Sequence, residues 1–192
     1  EQFSLIMDTS LYYPTPVWEP RGGFNIDEEL IYAFMHQESM FNASAKSSQG
    51  AVGLMQVLPS TAKFISSSKD VKRNNSNILK NPEINLEVGQ EYIEYLLNLE
   101  IVSNNLIYLA AAYNGGPGNL RKWLRTVDHQ DDPFLLVESI PARETRYYVK
   151  NVISNLGIYR LRFNETAPAL TSLAAGSGGV FVPGAASAKP TE

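Results

Sequence analysis

The residue best suited to chemistry in this chain is a glutamate that continues an apolar helical stripe. Ile31, Phe34 and Met35 recur at positions i, i+3 and i+4, and the next position of that stripe, i+7, is Glu38. Burial among apolar side chains favours the neutral form of a carboxyl group, so we expect a raised pKa for Glu38. Such a group can donate a proton near neutral pH, as a general acid must. The alternative is that the stripe ends here and the carboxylate is solvated, as in most glutamates.

Four short segments accompany this glutamate in a characteristic order. They are Glu38-Ser39 with Asn42 and Ser47, GAVGLMQ at 50–56 with PSTA at 59–62, AYNGGPG at 112–118, and IPARETRYYV at 140–149. Together, over about residues 25–160, they resemble the lytic transglycosylases of the goose-type-lysozyme superfamily, most closely the catalytic domain of the soluble members. The resemblance implies a lysozyme-like helical domain that cleaves the β-1,4 bond between N-acetylmuramic acid and N-acetylglucosamine in peptidoglycan. It also implies cleavage without water, which leaves a 1,6-anhydro end on the muramic acid.

The resemblance gives Glu38 the role of the family's single catalytic acid/base. Its carboxylic acid would protonate the leaving glycosidic oxygen, and the resulting carboxylate would take the proton of the muramic C6 hydroxyl, which attacks internally. The substrate's own 2-acetamido carbonyl would stabilise the positive charge at the anomeric carbon, so that a second nucleophilic carboxylate need not be present. Internal attack also has a large proximity advantage over attack by free water.

Substrate-binding roles implied by the resemblance come from all four segments. They fall on Ser47, Met55, Gln56, Tyr113, Asn114, Glu144 and Tyr148. Met55 would offer apolar contact, Gln56 amide hydrogen bonds to the sugar, and Tyr148 an aromatic ring for stacking on a sugar face. Structural alternatives remain: core packing for both tyrosines, a helix C-terminal cap for Asn114, and for Glu144 a first-turn carboxylate favoured by the helix dipole.

The elements that must position these residues are helices. Asn25 and Glu28 form a capping-box pattern, which predicts a helix through about Phe41. Further helix starts are predicted at Pro59, Asn85, Leu106, Pro117, Pro133 and about Pro141. Strand signal is confined to the short apolar piece at about residues 51–58. The predicted fold class is therefore mainly α, in agreement with the α+β lysozyme-like, goose-type domain that the resemblance implies, with at most a small β element.

Composition divides the chain into three parts. Residues 1–24 form an irregular arm whose aromatic side chains are expected to pack on the domain, and residues 25–164 form the catalytic domain. In residues 165–192, 17 of 28 residues are Ala, Gly, Ser or Pro. Such a segment cannot bury enough apolar surface to offset its ordering entropy, so we expect a flexible tail.

The charge and composition exclude several functions. Sixteen Lys and Arg against 20 Asp and Glu give a net charge of −4, which offers no basic footprint for nucleic acid or anionic lipid. With no Cys and two His, we expect no metal and no other cofactor. No apolar stretch approaches the roughly 20 residues that cross a bilayer, so we expect no transmembrane segment.

The expected partner is the glycan strand of peptidoglycan, and protein partners are left unassigned. The expected location is the periplasm or cell wall, with any export signal outside this chain.

Three hypotheses follow for function. The first is a peptidoglycan lyase, and the second is a lysozyme-type hydrolase in which water replaces the C6 hydroxyl. Absence of an obvious second base carboxylate favours the lyase. The third is a glycan-binding module without activity, and retention of Glu38 argues against it because a binder has no use for a costly buried acid.

Overall fold

The computed structural model of the chain describes residues 11–73, 76–130, 132–166, 168–176 and 179. Within them the chain forms helices joined by loops, without a regular strand. The α-helices are α1 (Glu28–Ser39), α2 (Pro59–Ile65), α3 (Lys69–Arg73), α4 (Pro82–Leu97), α5 (Leu106–Gly115), α6 (Pro117–Thr126), α7 (Pro133–Ser139), α8 (Arg143–Arg162) and α9 (Pro168–Ala174), and a 3₁₀ helix, Ser76–Lys80, precedes α4. The prediction of a mainly α fold is confirmed.

Helix starts at Pro59, Leu106, Pro117 and Pro133 are confirmed. Each proline lies in the first turn, where its missing N–H is not needed by the helix. The side chain of Asn105 accepts hydrogen bonds from two main-chain N–H groups in the first turn of α5. Local sequence signals therefore determine these boundaries.

The predicted capping box at the start of α1 was wrong. The main-chain N–H of Asn25 donates to the side-chain Oε1 of Gln90 at 2.8 Å, which ties the approach to α1 onto α4 instead. Helix α1 begins at Glu28 and ends at Ser39, because the next residue, Met40, has a left-handed conformation (φ 48°). This ending leaves Glu38 in the last turn of the helix.

Asn85 also has a different role from the predicted one. Helix α4 begins earlier, at Pro82, where Asn81 accepts a hydrogen bond from the N–H of Ile84 as the N-cap. Asn85 is fully buried inside the helix. The sequence analysis also did not anticipate the short helix α3 and the 3₁₀ helix that follows it, since neither contains a full period of apolar positions.

The sequence predicts at most a small β element at about residues 51–58. Among the described residues this region forms two isolated antiparallel bridges, which pair Lys46 with Val52 and Val52 with Val57. Helix α8 packs against α1 and α5, and this contact forms the centre of the core. Ile31, Phe34 and Met35 are completely buried there, as the stripe predicts. No helix in the described part of the chain is long and apolar enough to cross a membrane.

The described part of the N-terminal arm, from residue 11, packs on the domain. Tyr159 donates to the carbonyl of Pro14 at 3.1 Å and Tyr32 to that of Pro16 at 3.0 Å. The ring of Tyr13 stacks on His36 with the centroids 4.6 Å apart. Residues 1–10 lie outside the described residues.

The prediction of a flexible tail was wrong for residues 168–174, which form α9. Ala169 and Leu173 are buried on one side of this helix, and Leu170 packs beside Gly157 of α8. Apolar residues at helical spacing supply a packing face that the average composition of the tail conceals. Apart from Gly179, the predicted tail beyond residue 176 lies outside the described residues. The domain boundaries themselves stay a prediction.

Candidate active site

Glu38 is half-buried in the last turn of α1, at the end of the apolar stripe. The pKa of this carboxyl group is raised from 4.5 to about 7, mainly by burial. A hydrogen bond from Tyr148 lowers the pKa and the nearby charge of Glu144 raises it, and both effects are included in that value. A substantial fraction of Glu38 is therefore protonated at neutral pH. This is the state that a general acid requires.

Tyr148 of α8 holds the carboxyl group in place. Its hydroxyl donates to Glu38 Oε1 at 2.5 Å, and only 4% of its surface is exposed. The ring is enclosed by neighbouring aromatic rings, among them Phe34 and Tyr113. The structure therefore does not present this ring for stacking on a sugar, because its faces are covered and only its hydroxyl reaches the site.

A buried amide shapes the loop that forms one wall of the site. Asn85 Nδ2 donates to the carbonyls of Val52 (2.9 Å) and Leu79 (2.8 Å), and its Oδ1 accepts from the N–H of Met55 at 2.7 Å. Gly53 lies so close that an added Cβ would be 2.3 Å from Asn85 Nδ2. The loop is thereby fixed to α4 by main-chain groups that would otherwise be buried without partners.

This loop presents Gln56 to the cavity and turns Met55 away from it. The side-chain amide of Gln56 donates to the carbonyls of Gly53 (2.8 Å) and Ala45 (3.2 Å), so Oε1 is the atom that it can offer a ligand. The side chain of Met55 is completely buried against Gly89. The predicted apolar contact of Met55 with glycan is therefore not available in this structure, because its thioether belongs to the core.

The end of α5 supplies the opposite wall. Tyr113 donates to the carbonyl of Met55 at 2.8 Å, which connects α5 to the loop. Thr145 donates to Asn114 Oδ1 at 2.6 Å, and this bond leaves the NH₂ group of Asn114 for the cavity. The C-cap of α5 is Gly116 (φ 83°), and Asn114 does not have the capping role considered as its alternative.

These residues surround a cavity of about 680 Å³. Of the predicted site residues it is lined by Glu38, Ser47, Gln56, Tyr113, Asn114 and Glu144. A second cavity of about 420 Å³ is lined by several of the same residues together with Gln37, Tyr147 and Tyr148. The carboxyl group of Glu38 thus lies where two cavities lined largely by polar residues meet, and a chain-like ligand could extend to both sides of it.

The sequence analysis missed several lining residues, namely Ser48, Gln49, Thr61, Tyr92, Asn119, Trp123 and Thr145. Tyr92 lies on the same apolar stripe as Val88 and Leu96, so its periodicity predicts core packing. Thr61 and Thr145 lie in two of the four segments that carry the family resemblance, which was a signal that could have indicated them. Among the residues that the structure describes, no group of three or more His, Asp or Glu side chains could hold a metal ion.

Fold and site together define a lysozyme-like helical domain whose cleft contains a half-buried carboxylic acid, Glu38. The chain belongs to the family described as the transglycosylase SLT domain, whose family model matches residues 18–134. The soluble lytic murein transglycosylase of Escherichia coli K12 is 39% identical over 151 residues, which are 78% of this chain and 23% of that protein. A putative soluble lytic murein transglycosylase of Haemophilus influenzae is 36% identical over 77% of this chain and 25% of its own length.

Solved structures show the same likeness. The lytic transglycosylase Slt of Pseudomonas aeruginosa, solved as an inactive mutant, is 36% identical with a TM-score of 0.65, over 73% of this chain and 22% of that one. The complex of the 70 kDa soluble lytic transglycosylase with bulgecin A has a TM-score of 0.66 and 33% identity, over 80% of this chain and 23% of that one. The chain therefore spans less than a third of the length of these relatives.

The raised pKa of Glu38 predicts a dependence of stability on pH that does not require any assay of activity. Because the folded-state pKa is raised from 4.5 to about 7, the folded protein binds this proton more tightly than the unfolded chain does. The contribution of Glu38 to stability is complete below about pH 4.5 and is lost as the pH rises through 7. At pH 8 the free energy of unfolding of Glu38→Gln should therefore exceed that of the original chain by about 1–3 kcal/mol, with a higher midpoint temperature. At pH 4 the two proteins should unfold at nearly the same temperature. Calorimetry at both pH values tests this, and an equal or lower stability of Glu38→Gln at pH 8 would contradict it.

Proposed function

We propose that this chain is a peptidoglycan lytic transglycosylase that cleaves the β-1,4 bond between N-acetylmuramic acid and N-acetylglucosamine, with Glu38 as its acid/base. The observation that carries the proposal is a half-buried carboxyl group with a pKa of about 7 at the junction of two cavities lined largely by polar residues. Membership of the transglycosylase SLT domain family supports it. So do the relatives, which are named as lytic murein transglycosylases.

In the first step, protonated Glu38 gives its proton to the glycosidic oxygen as the bond from that oxygen to the anomeric carbon breaks. The acetamido carbonyl oxygen of the muramic acid stabilises the positive charge left at that carbon. Tyr148 donates to Glu38 Oε1 and so stabilises the carboxylate that this step creates. Burial disfavours the carboxylate form and so raises its affinity for a proton. After the first step, the Glu38 carboxylate is therefore a stronger proton acceptor than a carboxylate in water.

In the second step, the C6 hydroxyl of the same muramic acid attacks the anomeric carbon and gives its proton to the Glu38 carboxylate. The bond from carbon to C6 oxygen closes the 1,6-anhydro ring, and the acid is regenerated without consumption of water. Ser47, Gln56, Asn114 and Glu144 line the cavity around the carboxyl group, and we assign them to hydrogen bonds with the sugar and its acetamido group. Tyr113 supports the wall through its bond to the Met55 carbonyl.

Digestion of purified peptidoglycan followed by mass spectrometry of the soluble fragments tests the proposal. The expected products carry 1,6-anhydromuramic acid ends and appear only when Glu38 is present. Absence of cleavage by the folded chain, with glycan binding retained, would instead support the non-catalytic binding module.

Hydrolysis of the same bond is a second candidate, and the position of Glu144 favours it. Its carboxylate lines the same cavity as Glu38 and is exposed, so it could accept a proton from water. The products decide between the two reactions, since hydrolysis gives reducing ends. In the lyase, Glu144→Gln should retain the anhydro products, whereas a hydrolase that uses this base would lose its activity.

Removal of the Tyr148 hydroxyl should change the pH dependence of the reaction. The hydrogen bond from Tyr148 lowers the pKa of Glu38, so in Tyr148→Phe that pKa rises and the alkaline limb of the profile of kcat/KM moves to higher pH. Loss of a hydrogen bond to the developing carboxylate should also reduce kcat by about 10-fold. Tyr113→Phe is the matched control, because that hydroxyl donates to a main-chain carbonyl and not to Glu38. An alkaline limb that does not move in Tyr148→Phe, or moves equally in both variants, would contradict the assignment.

We place this activity at the cell wall, outside the cytoplasm, because peptidoglycan is there. Relatives named as membrane-bound lytic murein transglycosylases, 30% identical to this chain, support this location. The partner we propose is the glycan strand itself.

A further inference from the structure

An aromatic surface outside the assigned site continues the wall of the larger cavity along α2 and α4. Thr61 of α2 and Tyr92 of α4 line that cavity. Three residues further along each helix are Phe64 and Tyr95. Because residues i and i+3 lie on the same face of a helix, the two rings extend the wall outward from the cavity. We call Phe64, Tyr95 and Tyr92 the aromatic platform.

The rings of the platform are in mutual contact. The centroids of Phe64 and Tyr95 are 5.4 Å apart with the planes at 85°, and those of Tyr95 and Tyr92 are 6.3 Å apart and nearly parallel. Tyr92 in turn lies 5.2 Å from Tyr113, which contacts the ring of Tyr148 beside Glu38. A continuous series of aromatic rings therefore connects the candidate active site to the protein surface.

The outer end of the platform is open to solvent. Phe64 has 68% of its surface exposed, whereas Tyr95 and Tyr92 are half-buried and pack against the core. The edge contact with Tyr95 limits the freedom of the Phe64 ring, so its face is presented with a small loss of side-chain entropy on binding. A ligand that extends out of the cavity past Tyr92 and Tyr95 would therefore meet the exposed ring of Phe64.

We propose that the aromatic platform is an additional sugar-stacking site, where Phe64 covers the apolar face of one N-acetylated pyranose of the glycan strand. The C–H groups on that face of a pyranose pack against the flat face of an aromatic ring, while its hydroxyl and acetamido groups remain in water. The bound sugar is one beyond those at the cleaved bond, because Phe64, unlike Tyr92, does not line the cavity that holds Glu38. This inference rests on the proposed function and extends the length of glycan that the domain recognises.

The test measures binding in the Glu38→Gln background, where the ligand is not cleaved. Peptide-free glycan strands prepared from peptidoglycan are titrated by calorimetry into Glu38→Gln and into its combination with Phe64→Ala. Loss of one ring contact should weaken binding by about 3- to 10-fold. Phe64→Trp should retain the affinity of the parent. Phe64→Leu keeps apolar bulk but has no flat face, so it should bind as weakly as Phe64→Ala. Phe134→Ala is the matched control, because that phenylalanine on α7 is also exposed (52%) but lines a different cavity, to which Glu38 does not contribute.

Four outcomes overturn the inference. Equal affinity of Phe64→Ala and its parent, or full affinity in Phe64→Leu, would remove the stacking site and leave the proposed function intact. Absence of glycan binding by the parent itself would overturn the proposed function as well. A dimer that sedimentation detects in the original chain but not in Phe64→Ala would assign the platform to contact between copies of the chain.

Discussion

Glu38→Gln should lower kcat on peptidoglycan by about 10³-fold, because one carboxyl group serves as acid in the first step and as base in the second. The amide can still accept the hydrogen bond from Tyr148, but it can neither give nor take the proton. Glycan binding should be retained, since the shape of the cavity is unchanged. Release of muropeptides at saturating substrate measures the effect.

The pH dependence of the original chain gives an independent test of the same assignment. Reaction begins from the protonated form, so kcat/KM should fall as the pH rises through the Glu38 pKa of about 7. Residual activity of Glu38→Gln, if any, should lack this alkaline limb. An activity in Glu38→Gln within a few-fold of the original would contradict the assignment of Glu38 as acid/base. Glu138→Gln, at an exposed ion pair with Lys150 on α7 and α8, is the matched control.

Gly53→Ala should have the largest effect on stability. Gly53 has a φ of +83°, and the added Cβ would be 2.3 Å from Asn85 Nδ2 and 2.4 Å from the carbonyl oxygen of Leu79. The loop can accept the methyl group only by breaking hydrogen bonds of the buried Asn85 amide. We expect a loss of about 3–5 kcal/mol in the free energy of unfolding, measured by urea denaturation.

Gly50→Ala is the matched control for this substitution. Its φ of +86° imposes nearly the same backbone strain, but no atom lies within 4 Å of the added Cβ. It should cost only about 1–2 kcal/mol. The difference between the two variants therefore measures the collision with Asn85. Equal midpoints of denaturation would show that the amide does not hold the loop.

Much of the helical framework could be predicted from the sequence. Helix starts at Pro59, Pro117 and Pro133 follow from the preference of proline for the first turn, which is a local property of the chain. The burial of Ile31 and Phe34 follows from their spacing. Errors arose where a main-chain group has a distant partner, as at Asn25, whose main-chain N–H donates to the side chain of Gln90 on α4.

The candidate site also contains features that the sequence predicts and features that it does not. The spacing of Glu38 on the stripe of α1 predicts a raised pKa, and the structure agrees in direction. The sequence did not predict that Met55 belongs to the core, because adjacent residues such as Gln56 can face opposite sides of a loop. The role that we propose for Phe64 was not predicted either, since a single exposed phenylalanine has no periodic pattern.

The sequence by itself determined the helical class, several helix starts and the carboxyl group on the buried stripe, since these depend on residues within one or two turns of each other. Only the tertiary structure decided what surrounds that carboxyl group. Tyr148, which donates to Glu38, is 110 residues away along the chain, and Asn85 fixes a loop about 30 residues before it. Such contacts arise from the packing of α8 on α1 and of α4 on the loop, and packing between distant segments leaves no periodic signal in the sequence.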